Sequence, residues 1–173
     1  MMRYPVELLE HWDTDVEPLT IRPIRPEDAG KLDALFHRMT PEDVRHRFFA
    51  AIRELSPEQL AKFTRLDYEK DMAFVAVRDS TGEIVGVARL AREDDPAVGE
   101  FAVTVQPDVK GHGVGVHLMQ RLLDWARQHG VKNVMGEILA DNEPMLDLAR
   151  FLGFTLHFSH DDPMIIEAHL PLV

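Results

Sequence analysis

Val103-Thr104-Val105-Gln106-Pro107-Asp108-Val109-Lys110-Gly111-His112-Gly113-Val114-Gly115 places an apolar strand, a proline turn and three alternating glycines directly before an amphipathic stretch that runs to His129. Glycine at alternate positions removes the Cβ atoms that hold a ligand off the main chain, so successive N–H groups at the head of the helix can turn toward one anion. The helix macrodipole adds roughly half a positive charge at the same point. Together these features describe a pyrophosphate cradle that needs no metal, and such a cradle implies a nucleotide-like cofactor.

Downstream, Val114, Leu118, Leu122, Trp125 and Ala126 recur at helical spacing, Gly130 stops the helix, and residues 131–139 read as a returning strand. That order makes a βαβ crossover, with Trp125 as core filler. Asp141-Asn142-Glu143-Pro144 starts a late helix with Met145, Leu148, Ala149 and Leu152 on its buried face, closed by Gly153. Two terminal strands follow, around residues 155–158 and 164–170.

Upstream, residues 72–77, 84–90 and 98–105 are apolar runs separated by Asp79-Ser80-Thr81-Gly82 and Glu93-Asp94-Asp95-Pro96, the pattern of an antiparallel meander. Residues 19–25 alternate as a strand, after which Pro26-Glu27-Asp28 opens a helix with leucines and Phe36 on one face. Thr40-Pro41-Glu42-Asp43 and Ser56-Pro57-Glu58-Gln59 are two more helix starts. Each has a hydroxyl cap, proline at the first helical position and an acceptor three residues after the cap.

At 173 residues the chain suits one domain with a sizeable core and leaves no room for a second full one. Absence of cysteine excludes a disulfide framework, a thiolate nucleophile and a cysteine zinc site. No segment is long and apolar enough to span a membrane, and residues 1–7 lack the apolar run of a signal peptide, so a soluble cytoplasmic protein is expected. Thirty acidic against nineteen basic side chains give a net charge of -11, which opposes nucleic-acid binding. In that field an anionic cofactor depends on the amide nest and on Lys110, whereas a cationic amine is drawn in. His112 with His117, and His157 with His160, lack a third ligand or an His-Glu-x-x-His helix, so no metal is expected. Asp67, Glu69 and Asp71 read as a solvated loop, with binding of a cationic substrate as the second reading.

With these elements in order, the chain resembles the GNAT superfamily of N-acetyltransferases, whose fingerprint is a basic or amide residue, two free positions, Gly, one free position, then Gly or Ala. Lys110, Gly113 and Gly115 fill it, although the first position is more often Gln or Arg in that superfamily. A closer likeness is to the acetyltransferase domain of Pat-type bacterial protein lysine acetyltransferases. It runs through residues 21–28, 56–60, 67–77 and 100–103, outside the cofactor motif. The resemblance implies an α/β (α+β) fold: a central mixed, mostly antiparallel twisted sheet of about six to seven strands, flanked by helices, with a splayed strand pair at the cofactor site. Residues 19–173 are then a single domain and residues 1–18 an N-terminal extension.

The resemblance also implies acetyl-CoA as cosubstrate. Its pyrophosphate would rest on the amides of Lys110, Gly111, His112, Gly113, Val114, Gly115 and Val116, and its pantetheine arm would pair like an added strand with Val103 and Val105. Asn142 would contact the arm or fix the adjacent loop, and it reads equally well as a helix cap. The implied acceptor is the side-chain amine of a protein lysine, such as that of an acyl-CoA synthetase, or a small amine. A lysine pKa of about 10.4 calls for a base. Glu100 matches the family's base position and reads otherwise as a solvated strand residue or a partner of Arg89. The N–H of Val103 would stabilise charge on the thioester oxygen. Many relatives carry a tyrosine acid where this chain has Ala149, which leaves the general acid unassigned; a thiol pKa of about 8.5 makes CoA a tolerable leaving group without one. A non-catalytic acyl-CoA-binding module is a second function. A dinucleotide oxidoreductase, suggested by Gly111, Gly113 and Glu137, fails at Val116, where that fingerprint needs a third glycine.

Overall fold

The computed structural model describes residues 3–173, so Met1 and Met2, the start of the stretch expected to carry no signal peptide, lie outside it. The elements are β1 (Glu10–Asp13), β2 (Pro18–Pro23), α1 (Ala29–Arg38), α2 (Pro41–Phe48), α3 (Pro57–Thr64), β3 (Met72–Arg78), β4 (Ile84–Ala91), β5 (Val98–Val105), α4 (Val114–Gln128), β6 (Asn133–Leu139), α5 (Glu143–Phe151), β7 (Thr155–Phe158) and β8 (Ile165–Pro171). They build one sheet in the order β1-β2-β3-β4-β5-β6-β8-β7, in which β5 and β6 are the parallel neighbours and the other pairs are antiparallel.

The meander is β3-β4-β5, the crossover is β5-α4-β6, and both follow from the apolar runs and the glycine stop. The sheet has eight strands where six to seven were expected, because residues 10–13 of the N-terminal extension pair with β2. That strand lacks an apolar alternation. Trp12 stacks on His117 of α4 with ring centroids 4.1 Å apart, and Glu10 accepts from Arg121. Thr40 and Ser56 cap α2 and α3 as their sequences indicate, each accepting from the N–H three residues on.

Pro26–Asp28 forms a 3-10 turn rather than the first turn of α1. The Asp28 carboxylate is committed backward, accepting two bonds of 2.7 Å from Arg22 and one of 3.0 Å from the Arg25 N–H. Burial opposes its charge, yet those three donors outweigh it and hold the carboxyl below its ordinary range.

β3 is buried along almost its whole length, which is why it reads as a continuous apolar run. α4 covers one face of β3, β4 and β5 with Leu118, Met119, Leu122 and Ala126, all fully buried; each leucine removed from water contributes about 1.5–3 kcal/mol. The opposite face is covered by α1, α2 and α3, through Leu35, Phe36, Phe48 and Phe63 against Val87.

Candidate active site

β5 and β6 pair only from Val98 opposite Asn133 to Glu100 opposite Met135. Beyond Glu100 they part, β5 keeping β4 as its neighbour and β6 keeping β8. The main chain of residues 101–105 therefore turns N–H and C=O groups toward an opening that holds no strand. That opening is a cleft of about 840 Å³, running from the β5 edge past the 110–116 turn to Asn142 and Pro144, with Arg47 and Phe49 of the α2 segment on its wall.

Gly111 and Gly113 have φ of +84° and +81°, and a Cβ at either would meet no protein atom within 4 Å. The left-handed conformation costs other residues about 1–2 kcal/mol, and the empty space beside both glycines leaves room for a ligand against the main chain. Gly113 is the N-cap of the 15-residue α4 and offers no side-chain acceptor, so the first-turn N–H groups keep no intrahelical partner. These features fit a diphosphate. Val103, Val105, Lys110, Gly111, Gly113, Val114, Gly115, Val116 and Asn142 all border the one cleft. His112 stands apart from that lining, exposed at the tip of the turn with Nδ1 3.5 Å from Asp15 Oδ1.

Lys110 Nζ donates to Asp43 Oδ1 at 2.7 Å, so the cation expected to attract an anion already has a carboxylate beside it. Asp43 Oδ2 is buried without a hydrogen-bond partner among the described residues. Asn142 is buried and N-caps α5, its Oδ1 accepting from the Met145 N–H at 3.3 Å. It therefore holds the helix whose start borders the cleft.

Glu100 occupies the last paired position before the strands part. It shares the α1–α3 face of the sheet with Ala102 and Thr104, whereas Phe101 points to the opposite face and packs on Phe154 with centroids 5.0 Å apart. Burial raises the Glu100 carboxyl above its ordinary value, the charges of Glu137 and Glu93 add to the rise, and Arg47 opposes it. Glu100 itself is exposed and stands just outside the cleft lining, which starts at Phe101, whereas Glu137 and Arg47 are part of that lining. Among the described residues the Glu100 carboxyl makes no hydrogen bond or ion pair, and none to Arg89 in particular.

Residues 34–154 match the acetyltransferase (GNAT) family. The chain belongs to the GNAT acetyltransferases. It is 34% identical to the acetyltransferase PA5475 of Pseudomonas aeruginosa over 158 residues, 88% of this chain and 85% of that protein. The GNAT domain of S. lividans PAT superposes with a TM-score of 0.90 at 24% identity, covering 98% of this chain and all of that one. A putative acetyltransferase of Salmonella typhimurium, YncA, solved with its cofactor acetyl-CoA, superposes at 0.73 and 22% identity over 90% of this chain and 94% of its own. The largely antiparallel sheet also departs from the parallel doubly wound sheet of a dinucleotide oxidoreductase.

For a GNAT enzyme the tyrosines are informative by where they are. Tyr4 donates to the Pro23 carbonyl and Tyr68 to the Ile24 carbonyl, each at 2.6 Å, and neither lines the cleft. Burial pushes the Tyr68 hydroxyl up to about 12. Ala149 is buried in α5, and its methyl side chain has no proton to give. Asp67 accepts from the Glu69 N–H within its own turn, and Asp71 accepts from the Arg92 N–H, tying the loop to the end of β4. No set of three metal-ligating side chains converges among the described residues, nor is any described helix long and apolar enough to cross a membrane.

Sequence reasoning passed over Arg47 and Asp43 on the cleft wall and assigned Glu137 no part in this site. Arg45 and His46, which hold Asp141 beside the cap of α5, were missed as well. Their sequence separations of 96 and 95 residues explain the omission, since no local periodicity links them.

Proposed function

We propose that the protein is an acetyl-CoA-dependent N-acetyltransferase acting on a primary amine, with the side-chain amine of protein lysines as acceptor and Glu100 as general base. The observation that carries this reading is the parting of β5 and β6 after Glu100, whose neighbours Phe101 and Ala102 begin the wall of a cleft that runs to the glycine-opened head of α4. Acetyl-CoA supplies the activated acyl group. The N–H groups of residues 111–116 would hold its diphosphate, the β5 edge at Val103 and Val105 would hold its pantetheine arm, and Asn142 would keep α5 in place beside them.

A protonated lysine cannot attack a thioester, and its pKa of about 10.4 leaves little neutral amine near pH 7. The raised basicity of Glu100 suits it to take that proton, directly or through a water. The N–H of Val103, on the β5 edge past the point where the sheet opens, would stabilise charge on the thioester oxygen. The sequence resemblance to Pat-type protein lysine acetyltransferases at residues 21–28, 56–60, 67–77 and 100–103 supports a protein acceptor, and the net charge of -11 supports a cationic one.

The test is release of free CoA from acetyl-CoA in the presence of lysine-bearing proteins, acyl-CoA synthetases among them, and of small amines. Lysine-dependent release is the expected result. Tight CoA binding by calorimetry with no turnover on any amine would replace this reading with a non-catalytic acyl-CoA-binding module.

A further inference from the structure

A second, smaller cavity of about 40 Å³ lies on the α1–α3 face of the sheet, next to the cofactor cleft. Its walls are apolar and aromatic, with Phe36, Phe48 and Phe63 among them, yet two arginines enter it, Arg47 from α2 and Arg89 from β4. Met39, Arg47 and Thr104 border the cavity and the cleft alike, so the two share a wall. Among the described residues neither guanidinium has a hydrogen bond or an ion pair. What they have is ring faces: Arg47 lies 4.7 Å from the Phe48 centroid and 5.8 Å from that of Phe63, and Arg89 lies 4.4 Å from Phe63.

Elsewhere this chain satisfies its partly buried arginines. Arg22 is paired with Asp28, Arg78 with Glu17 and Arg121 with Glu10, and Arg92 donates to the carbonyls of Glu69, Lys70, Pro96 and His129. Two cations converging on one phenylalanine without a counter-ion are therefore an exception that folding alone does not require. Burial draws Arg47 down to about 10, and the charge of Arg89 pushes the same way against a partial offset from Glu100. Burial also lowers Arg89, with Asp71 opposing it. One water needs about 10–15 Å³ of such space, so the cavity admits a group of roughly three heavy atoms, the size of a carboxylate.

We propose that Arg47 and Arg89 form an anion subsite for the acceptor, so that the substrate is an amine carrying a carboxylate a few bonds from its reacting nitrogen. This rests on Glu100 marking where the amine reacts: Arg89 pairs with Ala102, two residues along β5 from Glu100 and on the same face, about 6–7 Å away along the strand. A planar guanidinium matches a carboxylate through two parallel bonds, and the phenylalanine rings suit the aliphatic stem. The carboxylate has two sources, a free amino acid or an acidic side chain beside a target lysine.

Calorimetry with acetate and benzoate, against acetamide and benzamide as neutral twins, tests the subsite without catalysis. Binding of the carboxylates alone is expected, weakened about tenfold or more in Arg89→Met and in Arg47→Met, as fits loss of a charged hydrogen bond. Equal binding of both twins, or none of either, overturns the subsite whatever the protein acetylates. Both variants should melt at or above the wild-type temperature, because each removes a partly buried cation that has no ion-pair partner among the described residues. A clear fall in melting temperature would make the arginines structural and also overturn the proposal. Turnover then names the source, by comparing 4-aminobutyrate with 4-aminobutanamide, and lysine peptides flanked by Glu with those flanked by Gln. A lower KM for the acid member of the first pair identifies a free amino acid, and of the second pair an acidic peptide. Equal kinetics within both pairs reject the subsite while acetyl transfer stands; no turnover with any amine rejects acetyl transfer and leaves the calorimetry to decide the subsite.

Discussion

Glu100→Gln should make the protein more stable while it removes most of the activity. The carboxylate has no bonded partner among the described residues, and burial, Glu137 and Glu93 all lift its pKa above the ordinary 4.5, with only Arg47 opposing. Because the folded value lies above the unfolded one, the folded chain binds that proton more tightly. The resulting destabilisation is absent below about pH 4.5 and is complete once the pH has risen past the folded value. Glutamine keeps the shape and discards the charge. The residue is exposed, so solvent screening limits the gain to about 1 kcal/mol or less. For a chain of this length that corresponds to a rise in Tm of about 1–4 °C near neutral pH, shrinking toward zero near pH 4. Loss of a general base lowers kcat/KM by about 10²–10⁴. Scanning calorimetry across that pH range, paired with CoA-release kinetics, measures both effects. A variant that melts lower than wild type at neutral pH and turns over as fast would refute the assignment and its electrostatic reasoning together.

Gly113→Glu should weaken CoA binding at least about tenfold by calorimetry, since the new residue sits strained at φ of +81° and places a carboxylate beside the helix head. Asp43→Asn should tighten it, because Lys110 loses the carboxylate 2.7 Å away and its full charge becomes available to an anion; unchanged affinity would separate this pair from the cofactor. Asp28→Ala should cost about 3–5 kcal/mol in denaturant unfolding, as it strands Arg22 in the core. The same lowered carboxyl predicts that the stability contributed by Asp28 persists above its ordinary 3.8 and fades as the pH falls below it, which acid titration of wild type and variant compares.

The cradle was legible because its parts are contiguous: strand, turn, glycines and helix follow one another from Val103 to Gln128 with periods that local geometry imposes. The helix caps at Thr40 and Ser56 were legible for the same reason. Strand β1 was not, because Glu-His-Trp-Asp carries no alternation, and what fastens it are His117 and Arg121, more than a hundred residues away. At the site, Glu100 came from the family's pattern; nothing in its neighbours marks it. The bond of Lys110 to Asp43 spans 67 residues, and the convergence of Arg47 and Arg89 depends on α2 packing against β5, the neighbour of β4. Such encounters exist only after the sheet has chosen its register. A stretch such as Pro-Glu-Asp-Val-Arg-His-Arg-Phe advertises a capped helix and hides which of its charges faces inward.

Within the sheet, the first five strands meet the last three through three register pairs, from Val98 with Asn133 to Glu100 with Met135. Mechanically the sheet is two panels joined by a short seam. A molecule that lays its own amides along the β5 edge would extend that seam, so ligand occupancy and the rigidity of β6, β8 and β7 should rise together. Slower amide exchange in those three strands then becomes a physical gauge of how full the enzyme is.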